Sequence, residues 1–251
     1  MVVGILRGAA FDAASEWKSK RFQQLAVSVV KRDDWTCQCC GFKSKSYIRI
    51  LHVSCLEGES LYQSSLQSNN SDFDPDKFKA ACCICYESQR LGFSIGQNLG
   101  HLIYAPDFEQ KHINSFFHLV NYVTHAISNG GAADINREFL NRAKVTNFKF
   151  LSLADALLER FAVKTQAELV EYLKKMPESA YSRRGDFLSG VRYYPEVNAY
   201  GTRSQKWFKN EYALLNVSKW VERHRDFYPD LHDLWSNVER GEDYIEYLQR
   251  G

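Results

Sequence analysis

The chain has 251 residues, 45% hydrophobic and 25% charged, enough apolar mass for one large core or two smaller ones and too much for a disordered chain. A net charge of +2 removes any global electrostatic case for nucleic acid or anionic lipid as a partner. No window holds 18 consecutive apolar residues, so no membrane-spanning helix is expected and any membrane association should come through partners.

The opening stretch MVVGILRGAAFDAASEW is interrupted by Arg7 and Asp12 and is too short an apolar run for a signal peptide. A cytoplasmic, reducing setting is therefore expected. Next, KRFQQLAVSVVKRDDW spaces Phe22, Leu25, Val29 and Val30 as one helical stripe, which Asp33 and Asp34 break. The stretch WTCQCCGF follows, and Gly41 suits a turn that needs positive φ. KSYIRILHVS then reads as a strand, and LEGESLYQSSLQSNNSDFDPDK as a long polar surface loop. KFKAACCICYESQRLG gives a second turn leading into a short helix that ends near Gly92.

All seven cysteines lie between positions 37 and 85. Clustering and an odd count argue against a disulfide scaffold in a reducing compartment. Cys37 with Cys40 and Cys82 with Cys85 form two C-x-x-C pairs, and two such turns can aim four thiolates at one ion. Cys39 and Cys83 sit inside the spacers and would face away, as small buried hydrophobes, while Cys55 is the alternative ligand. Four protein ligands leave no open coordination position, so one structural Zn2+ is expected. Its binding would contribute roughly 10 to 16 kcal/mol of apparent free energy, on the scale of a domain's whole stability.

The order of knuckle, strand, loop, second knuckle and helix resembles the zinc-bearing HNH endonucleases, a treble-clef or ββα arrangement. Such a nuclease needs a histidine base and further His or Asn groups around a catalytic cation. His52 is placed for the base and Asn69 or Asn70 for the middle residue, but no histidine comes just after the second pair, where the sequence reads CYESQRLG and the next histidine is His101. The inventory therefore points away from catalysis.

Beyond residue 100, GHLIYAP reads as a strand, and DFEQKHINSFFHLVNYVTHAISNG as a helix with Ile113, Phe116, Phe117, Val120, Val123 and Ile127 on one stripe. His112, His118 and His125 share no i, i+4 face and read as surface or capped histidines. Further helices are expected at 152–162, 165–175 and 204–227, the last with Trp207, Tyr212, Leu215, Val217 and Trp220, before an acidic, aromatic tail. Between them, SAYSRRGDFLSGVRYYPEVNAYGTRSQKW interleaves aromatics with Arg183, Arg184 and Arg192. It fits a loop packed on the core or a docking surface for an acidic peptide better than a single-strand DNA platform. The fold class expected is α+β, with an HNH-like zinc region over 1–130 and a mainly helical region over 131–251.

RDDWTCQCCGF, KAACCICYES and GHLIYAPDFEQKHINSFFHLVNYVTHAISNG together resemble the IcmJ (DotN) family of the Dot/Icm type IV secretion system and its conjugative relatives. The resemblance covers roughly residues 20 to 130. It implies an HNH-like fold that has lost its nuclease role and become a zinc-stabilised, non-enzymatic subunit of a coupling complex. The zinc ligands it implies are Cys37, Cys40, Cys82 and Cys85, with no catalytic residue. The partner it implies is the C-terminal extension of the type IV coupling protein, a VirD4/DotL-like ATPase, at the cytoplasmic face of the inner membrane.

Overall fold

A computed structural model describes residues 20–53, 74–128, 137–181, 183–196 and 198–200. The described chain is mixed α and β. Helix α1 (Lys20–Arg32) leads to the first cysteine turn and strand β1 (Ile48–His52). A 3-10 turn (Pro75–Lys77) precedes β2 (Phe78–Cys82), which runs directly into α2 (Cys83–Glu87). Then come α3 (Leu91–Gly96), β3 (Gly100–Tyr104), α4 (Gln110–Ser128), α5 (Arg137–Phe161) and α6 (Gln166–Lys175). Two single turns, α7 (Glu178–Tyr181) and α8 (Arg184–Phe187), lead to β4 (Val191–Pro195) and a closing 3-10 turn (Asn198–Tyr200).

Helix α1 forms because Phe22, Leu25, Ala26, Val29 and Val30 bury one face. It ends as the RDDW motif enters left-handed backbone, with φ of 48° at Asp34 and 56° at Trp35. Trp35 N–H then donates to Val30 carbonyl at 2.8 Å, closing the last turn in Schellman fashion. Asp33 does more than interrupt the helix. Its carboxylate accepts from Ala80 N–H at 2.7 Å and from Arg32 Nε at 2.8 Å, while the Arg32 guanidinium also donates to the carbonyls of Pro75 and Phe78. The Arg32–Asp33 pair thereby ties the end of α1 to β2, and the hydrogen bond that Arg32 donates to Asp33 raises the Arg32 pKa. Asp33→Ala would leave the Ala80 N–H without its acceptor and is expected to lower stability by about 1–3 kcal/mol in urea denaturation; an unchanged midpoint would remove the clasp from this account.

Among the described residues the strands make two antiparallel two-stranded sheets. In the first, β1 pairs with β2 from Ile48↔Cys82 to His52↔Phe78. In the second, β3 pairs with β4, with Leu102 opposite Tyr193. That small sheet has both edges closed by glutamine side chains. Gln110 accepts from Tyr193 N–H at 2.8 Å and donates to Tyr193 carbonyl at 2.7 Å. Gln166 does the same for Leu102, accepting at 2.7 Å and donating at 3.2 Å. Each amide replaces the neighbouring strand that the backbone lacks.

Two packed clusters surround these sheets. One gathers α1, both cysteine turns, β1, β2 and α4 with Phe150 of α5, Tyr194 and Tyr200. The other gathers Leu91, Leu102, Leu157, Leu169, Leu173, Tyr181, Leu188 and Tyr193.

Several expectations change in the structure. The helix after the second cysteine pair stops at Glu87, and α3 is a separate helix that contains Gly92. The helix expected at 152–162 is the last part of α5, which begins at Arg137. The described part of the basic and aromatic segment is packed on the core, as one of its two expected readings had it, but through β4 and not only as a loop, and its Tyr181, Tyr193, Tyr194 and Tyr200 are buried. Burial of these rings gains more than exposure would, and it leaves none of them for a base. Even Arg184 is buried, its guanidinium 4.4 Å over the Tyr181 ring. The helix expected at 204–227 and the acidic tail lie outside the described residues, as does the start of the chain through residue 19.

Candidate metal centre

The first cysteine turn is a tight loop. Cys37 N–H donates to Phe42 carbonyl at 2.8 Å, and Gly41 N–H donates to Cys37 carbonyl at 2.9 Å. Gly41 sits at φ 73°, as its place in the sequence leads one to expect. Gln38 N–H donates to Ala80 carbonyl at 2.8 Å, which lays the loop against β2. The second turn forms where β2 becomes α2. Cys82 occupies the cap position of that helix, and its sulfur accepts from Cys85 N–H at 3.5 Å.

The two turns bring together Cys37, Cys40, Cys82 and Cys85. All four are buried, and their sulfurs lie within 4.8 Å of one another. They are free thiols, and the Cys40 and Cys82 sulfurs are 3.5 Å apart. Zinc bonded to four sulfurs at about 2.3 Å needs sulfur–sulfur edges of about 3.8 Å, so these four residues fit one tetrahedral ion. This group could hold a metal ion, and no second group of His, Cys, Asp or Glu with that property occurs among the described residues.

Electrostatics point the same way. Burial pushes the Cys40 thiol up to about 11 and the Cys82 and Cys85 thiols well above their usual range. Burial also acts to raise Cys37, but hydrogen bonds from Cys39, Cys40, Cys82 and Cys85 outweigh it and hold Cys37 well below. Burial and mutual proximity thus oppose having all four sulfurs ionised at once without a cation. A divalent cation at their centre reverses the balance and favours the thiolate at every position.

Two residues on α4 complete the centre, and neither was singled out by spacing. Asn114 Nδ2 donates to Cys85 Sγ at 3.0 Å. His118 Nε2 lies 3.6 Å from Cys82 Sγ, and its ring stacks on Phe42 with centroids 4.1 Å apart and planes within 4°. His118 is therefore not a surface or capped histidine but a buried one. A pairing of Asn114 with His118 at i, i+4 was the available signal, hidden because the histidines alone show no such spacing.

The other candidates are dispersed. Cys39 is half-buried and outside the four-sulfur group, although the Cys37 sulfur is near enough to raise its pKa. Cys83 is buried and also outside the group. His52 is the last residue of β1, its ring edge-on to Phe78 at 5.1 Å. Cys55, Asn69 and Asn70 lie outside the described residues. No described helix is long and apolar enough to cross a membrane.

No protein-family model matches the chain. Over 141 residues it is 31% identical to the Type 4 apparatus protein DotN of Legionella pneumophila subsp. pneumophila (strain Philadelphia 1), an alignment covering 52% of this chain and 57% of that protein. The chain thus spans little more than half the length of the curated relative it matches. The similarity bears out the family resemblance carried by the cysteine motifs.

Proposed function

We propose, from its kinship with the IcmJ (DotN) family, that this chain is a non-catalytic component of a type IV secretion apparatus, built around one structural zinc ion. Cys37, Cys40, Cys82 and Cys85 are its ligands. The ion supplies charge neutralisation and a cross-link between the two cysteine turns, and the residues do the rest. Asp33 and Gln38 fix the first turn on β2, while Asn114 and His118 press α4 against the sulfurs. The chain acts as an adaptor in the coupling complex, binding the C-terminal extension of the coupling ATPase at the cytoplasmic face of the inner membrane and supporting substrate recruitment.

The observation that carries this reading is the enclosed set of four sulfurs, in a chain that resembles a type IV apparatus protein over 141 residues. A site with four cysteine ligands has no position for water or substrate, which suits architecture and not turnover. Co-purification of the full chain with the isolated C-terminal extension of the coupling ATPase is the direct test. A stable complex is expected, and no retention at micromolar concentrations would overturn the adaptor role. Of the two alternatives, a DNA-binding zinc module would show as DNA affinity that falls steeply with salt, and an HNH-type nuclease as cleavage. Plasmid incubated with the protein and Mg2+ is expected to stay intact; nicking that disappears in His52→Ala would establish catalysis instead.

A further inference from the structure

Gln110 and Asn114 stand one turn apart on α4, both almost wholly buried, and they link the metal centre to the second sheet through a chain of hydrogen bonds with a fixed direction. At one end is the β4 backbone. Tyr193 N–H can only donate and Tyr193 carbonyl can only accept, so Gln110 must turn its oxygen to the first and its nitrogen to the second. The remaining proton on that nitrogen then points at Asn114, donating to Oδ1 at 2.8 Å. With its oxygen so engaged, Asn114 has only its NH2 to offer the sulfur of Cys85, and it does so at 3.0 Å. The polarity of one peptide unit in β4 thereby decides that a donor, and not an acceptor, faces the centre. A donor stabilises a thiolate, the form a metal-bound cysteine takes, whereas an amide oxygen at the same place would repel it.

We propose that Gln110 and Asn114 form a directional relay that holds a hydrogen-bond donor on the Cys85 thiolate and so couples metal retention to the docking of α4 on the β3–β4 sheet. The inference rests on the metal centre proposed above. Gln110 is a positioning residue here, since it touches no sulfur in this chain of bonds and acts through Asn114. The substitution Gln110→Glu keeps the size of the side chain and removes its donors. A carboxylate still accepts from Tyr193 N–H but can donate neither to Tyr193 carbonyl nor to Asn114, which would then turn its own NH2 towards the new acceptor and its oxygen towards the sulfur.

The experiment uses the full chain loaded with Zn2+, with metal content measured first and release to an excess of a colorimetric chelator followed afterwards. Wild type, Asn114→Ala and Gln110→Glu are each expected to hold one equivalent, and both variants to release it roughly 10- to 100-fold faster. The double variant should be no faster than Asn114→Ala, because the effect of Gln110 passes through Asn114. Ile113→Val, a change elsewhere on the same helix, should release at the wild-type rate. In the cobalt-loaded protein the sulfur-to-metal charge-transfer band should shift in both relay variants and stay in place in Ile113→Val. Where Asn114→Ala does not fold, Gln110→Glu and Gln110→Met decide on the same readouts. Wild-type release rates in the relay variants, or equal acceleration in Ile113→Val, would overturn the relay. A wild-type protein that binds no Zn2+ would instead overturn the metal centre itself.

Discussion

Withdrawing the metal from the purified protein with a strong chelator is expected to abolish the cooperative unfolding transition of the cysteine-bearing region and to flatten its near-UV circular dichroism. The four sulfurs are inside the main core and not on its rim, buried together with Val29 of α1, Ile50 of β1, Ala80 of β2 and Phe117 of α4. Binding worth roughly 10 to 16 kcal/mol matches or exceeds the 5 to 15 kcal/mol by which a domain is normally stable. Without the ion, four sulfurs crowd together in the core with no cation to stabilise their thiolate form, and the two turns lose their common anchor. Cys82→Ser should behave like the chelated protein, because Cys82 is at once a proposed ligand, the cap of α2 and the neighbour of His118. A chelated or Cys82→Ser protein with an unchanged melting temperature would show that apolar packing alone sustains the region.

Phe150→Ala is expected to cost about 3–5 kcal/mol, read as a lower urea midpoint with an unchanged slope. Phe150 is fully buried and belongs to α5, yet its neighbours come from elsewhere in the chain. Its ring meets Phe108 edge-on at 5.2 Å, Phe116 at 5.5 Å and Tyr194 in a stack at 5.4 Å. The same neighbourhood includes a hydrogen bond from the Tyr194 hydroxyl to Asn147, one turn earlier on α5. Removing the ring opens a void at the point where α5, α4 and β4 meet, and such rigid aromatic neighbours collapse poorly into it. A loss below 1 kcal/mol would mean that α5 is held by other contacts and that the aromatic junction is incidental.

The parts of this molecule that were legible in the sequence are those whose causes are local. Cys37 and Cys40, like Cys82 and Cys85, are three residues apart, so each turn announces its own geometry, and the stripe of α1 repeats with the helical period. Gly41 was readable for the same reason, since only its own backbone decides the matter. What stayed hidden depends on partners far along the chain. Strand β4 is five residues of VRYYP whose pairing partner lies some ninety positions earlier, and nothing in five residues states that Leu102 will stand opposite Tyr193. His118 looked unremarkable because the group it meets is a cysteine 36 residues away, and Asn114 because amides rarely enter an account of metal sites. The break between α2 and α3 falls at Ser88, Gln89 and Arg90, with neither glycine nor proline to mark it. There Ser88 Oγ donates back to Cys85 carbonyl at 2.7 Å and Ser94 Oγ to Glu87 carbonyl at 2.9 Å, side-chain bonds that become visible only once the chain has turned.

X-ray absorption at the zinc edge of the intact protein bears most directly on the enclosed four-sulfur centre. Four sulfur scatterers at about 2.3 Å and no lighter atom in the inner shell are expected. A nitrogen or oxygen at about 2.0 Å, from His118 or from water, would contradict it: the site would then be open or differently ligated, and the architectural role assigned to the metal would fall with it.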